Sequence, residues 1–185
     1  MIKIMKNTKN NHELTTIYGT NVLMRENNLN IEQILNRSVL AYARSFFNAA
    51  QCLKNGDFLN NTIPLVVNTA FALELYLKSF NSDKIFINGK NLQHDVVVYE
   101  NIINEVKKTG HNLLDLYQCL SDDIKDLIKK EYKITNISFE DAISEYKNIF
   151  TDWRYGFEGN INSINLTDIT VLLTTLDNVA SKLEQ

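Results

Sequence analysis

Residues 63–80 read Ile-Pro-Leu-Val-Val-Asn-Thr-Ala-Phe-Ala-Leu-Glu-Leu-Tyr-Leu-Lys-Ser-Phe, and this stretch decides the fold. Apolar side chains cover nearly every face of the helix it would form, and such a helix belongs at the centre of a protein. Thr62 is expected to be its N-cap, with Pro64 in the first turn, where a missing N–H costs little. Glu74 is the one acid in the stretch, and a buried carboxylate requires a partner.

Further helices are predicted on both sides of this central one. An apolar stripe with a spacing of three to four residues predicts a helix over 31–54, which Asn30 and Gln33 begin and Asn55-Gly56 ends. The same periodicity, together with capping residues at Ser121 and Ser138, predicts helices over 112–120, 122–132, 139–158 and 167–183.

Two segments carry no such helical period. Residues 1–30 are polar and rich in asparagine, and they are predicted to form an extended or loosely ordered arm with a short element at Leu14 to Tyr18. Within 82–108, Ile85-Phe86-Ile87 before Asn88-Gly89 resembles half of a β-hairpin, Val96 to Tyr99 suits a strand or a helix, and a short helix is expected to end at Lys108. The fold class predicted is therefore all-α: an up-down bundle of four to five main helices over residues 31–185, with a small hairpin-like excursion.

Composition excludes several classes of protein. The 185 residues are 44% hydrophobic and 22% charged, which is typical of a globular domain, and no apolar run approaches the roughly 18 residues of a spanning helix. A net charge of −3 gives no global attraction to nucleic acid. Cys52 and Cys119 are predicted to be small buried side chains, and no metal-ligand spacing and no cofactor motif is present. A cytoplasmic protein outside the membrane is expected.

The predicted helix over 139–158 ends in Trp153-Arg-Tyr-Gly-Phe-Glu158. Arg154 and Glu158 are four residues apart and share a face that borders its apolar stripe. One hypothesis is a structural polar network in which Arg154 pairs with Glu158 or with Glu74, and Lys78 is the alternative partner of Glu74. The other hypothesis is that Arg154 clamps the phosphate or carboxylate of a ligand.

His111 is the best placed of three histidines, since it follows Thr109-Gly110 at a predicted helix start, whereas His12 and His94 lie in poorly patterned segments. A capping or packing role and a site role both stay open for it. A pocket that contained His111 and Arg154 would suit phosphodiester chemistry, because histidine transfers protons near neutral pH. Tyr155 and Lys78 complete the candidate ligand-binding set.

Three segments together resemble the HEPN family of bacterial helical proteins. They are Asn68-Thr-Ala-Phe-Ala-Leu-Glu-Leu-Tyr-Leu-Lys-Ser-Phe80, Gly110-His-Asn-Leu-Leu-Asp-Leu-Tyr117 and Phe150-Thr-Asp-Trp-Arg-Tyr-Gly-Phe-Glu158. The resemblance spans roughly residues 31 to 183, and it implies a helical bundle, commonly a homodimer, whose better-known members bind or cleave RNA without a metal.

Those ribonucleases carry an arginine followed by a histidine after four to six residues. Arg154 matches the arginine, but Tyr155 to Ile161 contains no histidine, so cleavage would need His111 or Glu158 as the base. The leading hypothesis is therefore binding of a nucleotide or an RNA phosphate, in phage defence or a toxin–antitoxin setting. The alternatives are a module that binds a partner protein or dimerises without catalysis, and a metal-independent ribonuclease.

Overall fold

The structure is a computed structural model that describes residues 2–8, 13–17, 20–24, 35–56, 58–87, 90–92, 96–99, 101–134, 136–159 and 163–184. The following residues named above lie outside the described ones: His12, Asn30, Gln33, Asn88-Gly89 and His94.

The predicted helical bundle is confirmed. Four long helices and three short ones are present in the described ranges, namely α1 (Arg37–Lys54), α2 (Phe58–Ser79), α3 (Leu113–Gln118), α4 (Asp122–Glu131), α5 (Phe139–Glu145), α6 (Ile149–Arg154) and α7 (Leu166–Leu183). A short 3-10 helix, Gly156–Glu158, follows α6. Only three residues separate α1 from α2, and a connection this short makes consecutive helices antiparallel neighbours.

The segments without helical period form antiparallel strands. They are β1 (Ile2–Thr8), β2 (Glu13–Ile17), β3 (Thr20–Met24), β4 (Ser82–Ile87), β5 (Lys90–Leu92), β6 (Val96–Tyr99) and β7 (Asn101–Val106). One sheet has the order β3-β2-β1-β6-β5, and β4 pairs with β7 from Ser82↔Val106 to Ile87↔Asn101. The excursion over 82–108 thus holds more strands than predicted. The prediction of a short helix before Lys108 is wrong, because β7 occupies that position. Its sequence, Asn-Ile-Ile-Asn-Glu-Val, holds three β-branched residues that favour a strand.

The helices share one hydrophobic core. Within residues 35–56, 60–82, 105–134, 136–159 and 163–184, every buried apolar side chain lies on a helix or within two residues of its end. Helix α2 packs against α1, α3, α6 and α7, and Val66, Leu73, Tyr76 and Leu77 along it have no exposed surface. The prediction that this apolar helix is central is therefore confirmed.

Two helices begin at other residues than predicted. Asn36 caps α1, because its Oδ1 accepts from the N–H groups of Ser38 and Val39 at 3.1 and 3.2 Å. Helix α2 begins at Phe58, so Thr62 lies inside the helix and is not its N-cap. Pro64 consequently stands in the second turn, where its missing N–H removes a single helical hydrogen bond.

The predicted aromatic helix over 139–158 is broken in two. Ser138 caps α5 as expected, since its Oγ accepts from the N–H of Asp141 at 3.1 Å. After Glu145 the chain turns, and the carbonyl of Lys147 accepts a hydrogen bond from the N–H of Leu113 at 2.9 Å. In a continuous helix that carbonyl would bond four residues onward. A tertiary contact with the start of α3 therefore interrupts the helix.

Cys52 and Cys119 are both exposed, which corrects the prediction that they are buried. Both have apolar neighbours in the sequence, but Cys52 lies on the solvent face of α1 and Cys119 is the C-terminal cap of α3.

An arginine clamp joins α1 to α7. The Arg44 guanidinium donates to Asp177 Oδ1 at 3.1 Å, to Glu184 Oε2 at 2.8 Å and to Ser181 Oγ at 3.1 Å. The buried hydroxyl of Tyr76 donates to the same Asp177 oxygen at 2.8 Å. Burial and this hydrogen bond to a carboxylate raise the pKa of Tyr76 well above its usual range, so the hydroxyl keeps its proton.

Asp177→Ala should lower the free energy of unfolding by about 1–3 kcal/mol, because it removes the acceptor of a buried tyrosine hydroxyl. Tyr76→Phe should cost less, since Asp177 keeps its bond to Arg44. Urea unfolding followed by circular dichroism measures both. Asp126→Ala, at an exposed ion pair, is the control and should stay within about 0.5 kcal/mol of wild type. An Asp177→Ala protein as stable as the control would contradict the clamp.

Candidate functional site

The site begins with a carboxylate buried in the middle of α2. Glu74 is 1% exposed, and both of its oxygens are hydrogen-bonded. Oε1 accepts from Lys78 Nζ at 2.6 Å, one helical turn away, and Oε2 lies 2.8 Å from His111 Nδ1. Lys78 is the partner that the sequence offered as the alternative to Arg154, and this alternative is confirmed.

The approach of His111 to Glu74 depends on the turn before α3. Gly110 has φ +105, a backbone conformation that residues other than glycine rarely adopt. The next residues are His111 and the cap Asn112, whose Oδ1 accepts from the N–H of Asp115 at 3.1 Å. The turn leaves the His111 side chain 49% exposed while its Nδ1 reaches into the bundle.

The bond to Glu74 determines which imidazole nitrogen is available. A carboxylate accepts hydrogen bonds, so Nδ1 carries the proton in that contact. A neutral His111 therefore has its lone pair on Nε2. The half-exposed ring can thus accept a proton or a hydrogen bond at Nε2, while the buried carboxylate fixes its orientation.

An aromatic ring connects His111 to Arg154. The Phe150 ring centroid lies 5.0 Å from the His111 centroid and 5.6 Å from Arg154 Cζ, so both side chains contact the same ring. Arg154 Cζ also lies 5.3 Å from the centroid of Tyr155. Behind Phe150 the Phe71 ring stacks at 5.2 Å, which ties this surface to the core. His111, Phe150, Arg154 and Tyr155 are called the His–Arg surface below.

Arg154 does not pair with Glu74, and that prediction is wrong. Arg154 and Glu158 are both exposed, and none of the ion pairs between described residues includes either of them. The structural network is therefore Glu74, Lys78 and His111. The reason is the break before α6, because the expected pairing assumed one continuous helix over 139–158.

The same break changes the fate of the aromatic residues after Arg154. Phe157, predicted to continue the apolar stripe, is 82% exposed, and Tyr155 is 46% exposed. The 3-10 turn Gly156–Glu158 has a different period from an α-helix, so the stripe no longer faces the core. Glu158 lies on this turn, and its carboxylate forms no ion pair with His111 or with any other described residue.

Within the described ranges, no three His, Cys, Asp or Glu side chains come close enough together to hold a metal ion. None of the described helices is long and apolar enough to cross a membrane. No family model matches the chain, and no curated protein and no solved structure matches it either.

Lys78→Met should lower the free energy of unfolding by about 3 kcal/mol or more, because it leaves the buried Glu74 carboxylate without its cation. Arg154→Ala should change it by no more than about 0.5 kcal/mol, since an exposed side chain without an ion pair holds no buried charge. Thermal melting of both variants beside wild type measures this contrast. Equal losses in the two proteins would mean that Glu74 is not held as described.

Proposed function

We propose that the chain is a HEPN-like protein that binds the phosphate of a nucleotide or an RNA at the His–Arg surface. The observation that carries the proposal is the state of Arg154, an exposed guanidinium with no carboxylate partner among the described residues, which contacts the same Phe150 ring as the half-exposed His111. Arginine offers several N–H donors in a fixed plane that matches phosphate oxygens. A guanidinium already held against Phe150 and Tyr155 loses less freedom when it binds.

Each side chain has a distinct role in this proposal. Arg154 supplies the charge, and His111 accepts a hydrogen bond at Nε2 or donates one when it is protonated. Tyr155, 46% exposed, offers a ring for a nucleobase to stack on. Lys78 contributes less than a free lysine would, because its side chain is 16% exposed and its ammonium is bonded to Glu74.

The biological setting rests on the resemblance alone. The three quoted segments lie on α2, in the turn and helix that begin at Gly110, and on α6 with the 3-10 turn after it. A role in the cytoplasm, in phage defence or in a toxin–antitoxin pair, is proposed by analogy with members of that family.

Two other functions have support from particular observations. A module that binds a partner protein without catalysis is favoured by the Glu74 network, which is satisfied within the protein and requires no ligand. A ribonuclease is favoured by the Glu74–His111 bond, because a carboxylate that orients a histidine is a common arrangement around a general base. Binding without cleavage is preferred, because Arg154 has no histidine at the family spacing.

Binding should be weak and sensitive to salt, and no appreciable metal-independent cleavage is expected. Fluorescence anisotropy with end-labelled single-stranded RNA measures affinity at several salt concentrations, with a mononucleotide as competitor. Arg154→Ala should weaken binding about tenfold, the order expected for a hydrogen bond to a charged group, and should flatten the salt dependence. His111→Ala should have a smaller effect.

Arg37→Ala is the matched control, since Arg37 is an exposed arginine in the first turn of α1. If Arg154→Ala and Arg37→Ala weaken binding equally, the His–Arg surface is not the site and the interaction module becomes the better proposal. Cleavage by wild type that both Arg154→Ala and His111→Ala abolish would make ribonuclease the preferred function.

A homodimer built on helices is also proposed. Large apolar side chains remain exposed on α1, on α2 and on the 3-10 turn after α6, at Tyr42, Ile63 and Phe157. Burial of such groups against a second copy is favourable. Light scattering at micromolar concentration should return twice the mass of one chain, and the monomer mass would contradict the proposal.

A further inference from the structure

A second concave site lies on the other side of α6, at the turn that separates it from α5. Its volume is about 220 Å³, which is smaller than the cavities that take drug-sized ligands. Its lining includes the aromatic residues Tyr146 and Trp153, the aliphatic Ile149 and Ile164, and the acidic Glu145 and Asp152. It contains none of the residues of the His–Arg surface.

The charge of this cavity has a single sign. Glu145 and Asp152 are exposed, no lysine or arginine is among the described lining residues, and neither acid takes part in an ion pair between described residues. A third carboxylate, that of Asp168, accepts from the hydroxyl of Tyr146 at 3.2 Å. Burial, followed by the charges of Glu145 and Asp168, raises the pKa of Tyr146 to about 12.

The aromatic walls select among cations. The face of an indole ring attracts a cation more strongly than any other side-chain ring, and the attraction grows when water is excluded. Trp153 and Tyr146 line one cavity with two carboxylates, so an ammonium group there would meet both kinds of partner. The isoleucine walls favour a cation that carries an aliphatic chain over a bare metal ion.

We propose that this cavity binds an alkylammonium group, from a free amine or from the side chain of a lysine. The ammonium lies between the carboxylates of Glu145 and Asp152 and against the Trp153 ring, and the alkyl chain packs on Ile149 and Ile164. The proposal is independent of the function proposed above, because it concerns a cation and a different face of α6.

Trp153 is the one tryptophan of the chain, so its fluorescence reports on the cavity directly. Titration of the full chain with n-butylammonium chloride at pH 7 and constant ionic strength should give a saturable change in emission. The neutral 1-butanol and the anionic butyrate, which have the same chain length, should give none. A response to 1-butanol as strong as that to butylammonium would overturn the proposal.

Charge-removing variants locate the effect. Glu145→Gln and Asp152→Asn should each weaken butylammonium binding roughly three- to fivefold, the size of one partly exposed ion pair. Asp123→Asn, at an exposed acid in α4 that does not line the cavity, should bind as wild type does. All three acids are exposed, so the variants should fold, and their melting curves verify that they do. Equal affinity in all three variants would also overturn the proposal.

The source of the ammonium is resolved by two further ligands. Putrescine carries an ammonium at each end, whereas Nα-acetyl-lysine amide carries one beside a peptide-like backbone. Tighter binding of putrescine supports a free polyamine, and tighter binding of the lysine derivative supports a protein side chain. If neither binds better than 1-butanol, the cavity has no preference for cations and the proposal fails.

Discussion

The Glu74 carboxylate is 1% exposed in the most apolar helix of the protein, and much of the surrounding structure depends on satisfying its charge. An unpaired charge in such a place costs several kcal/mol, so Glu74 must be hydrogen-bonded at both oxygens. Lys78 is available one turn along the same helix, but the second partner comes from 37 residues away. The chain brings the His111 imidazole to Glu74 by turning at Gly110, which has a positive φ, and by starting α3 at the cap Asn112. His111 stays half-exposed in this position.

The break between α5 and α6 is the second constraint. The Lys147 carbonyl, in the turn between α5 and α6, accepts a hydrogen bond from the N–H of Leu113, and α5 does not continue into α6. On α6, Phe150 contacts both His111 and Arg154, whereas Asp152 and Trp153 line the small cavity. A helix of six residues thereby separates a cationic surface from an anionic cavity.

Two arginines at the edges of apolar stripes differ in whether the protein supplies acceptors for their guanidinium groups. Arg44 bonds to Asp177, Ser181 and Glu184, so its donors are largely satisfied within the protein. Arg154 rests on two rings and has no acceptor among the described residues. Both stand among aromatic residues in the sequence, which makes them look alike. What separates them is the set of carboxylates that α7 brings to α1, more than 130 residues along the chain.

Helix positions were largely predictable, since periodicity, capping and helix propensity act within a few residues. The central place of α2, the cap at Ser138 and the Glu74–Lys78 pair all belong to this class, because each involves residues at most four apart. The strand β7 was missed although its β-branched residues signalled it. Only the tertiary structure decided that His111 completes the Glu74 network, that the helix after Glu145 breaks, and that Arg154 and Phe157 face solvent. Each of these depends on a hydrogen bond or a packing contact between residues far apart in sequence, and local patterns do not contain that information.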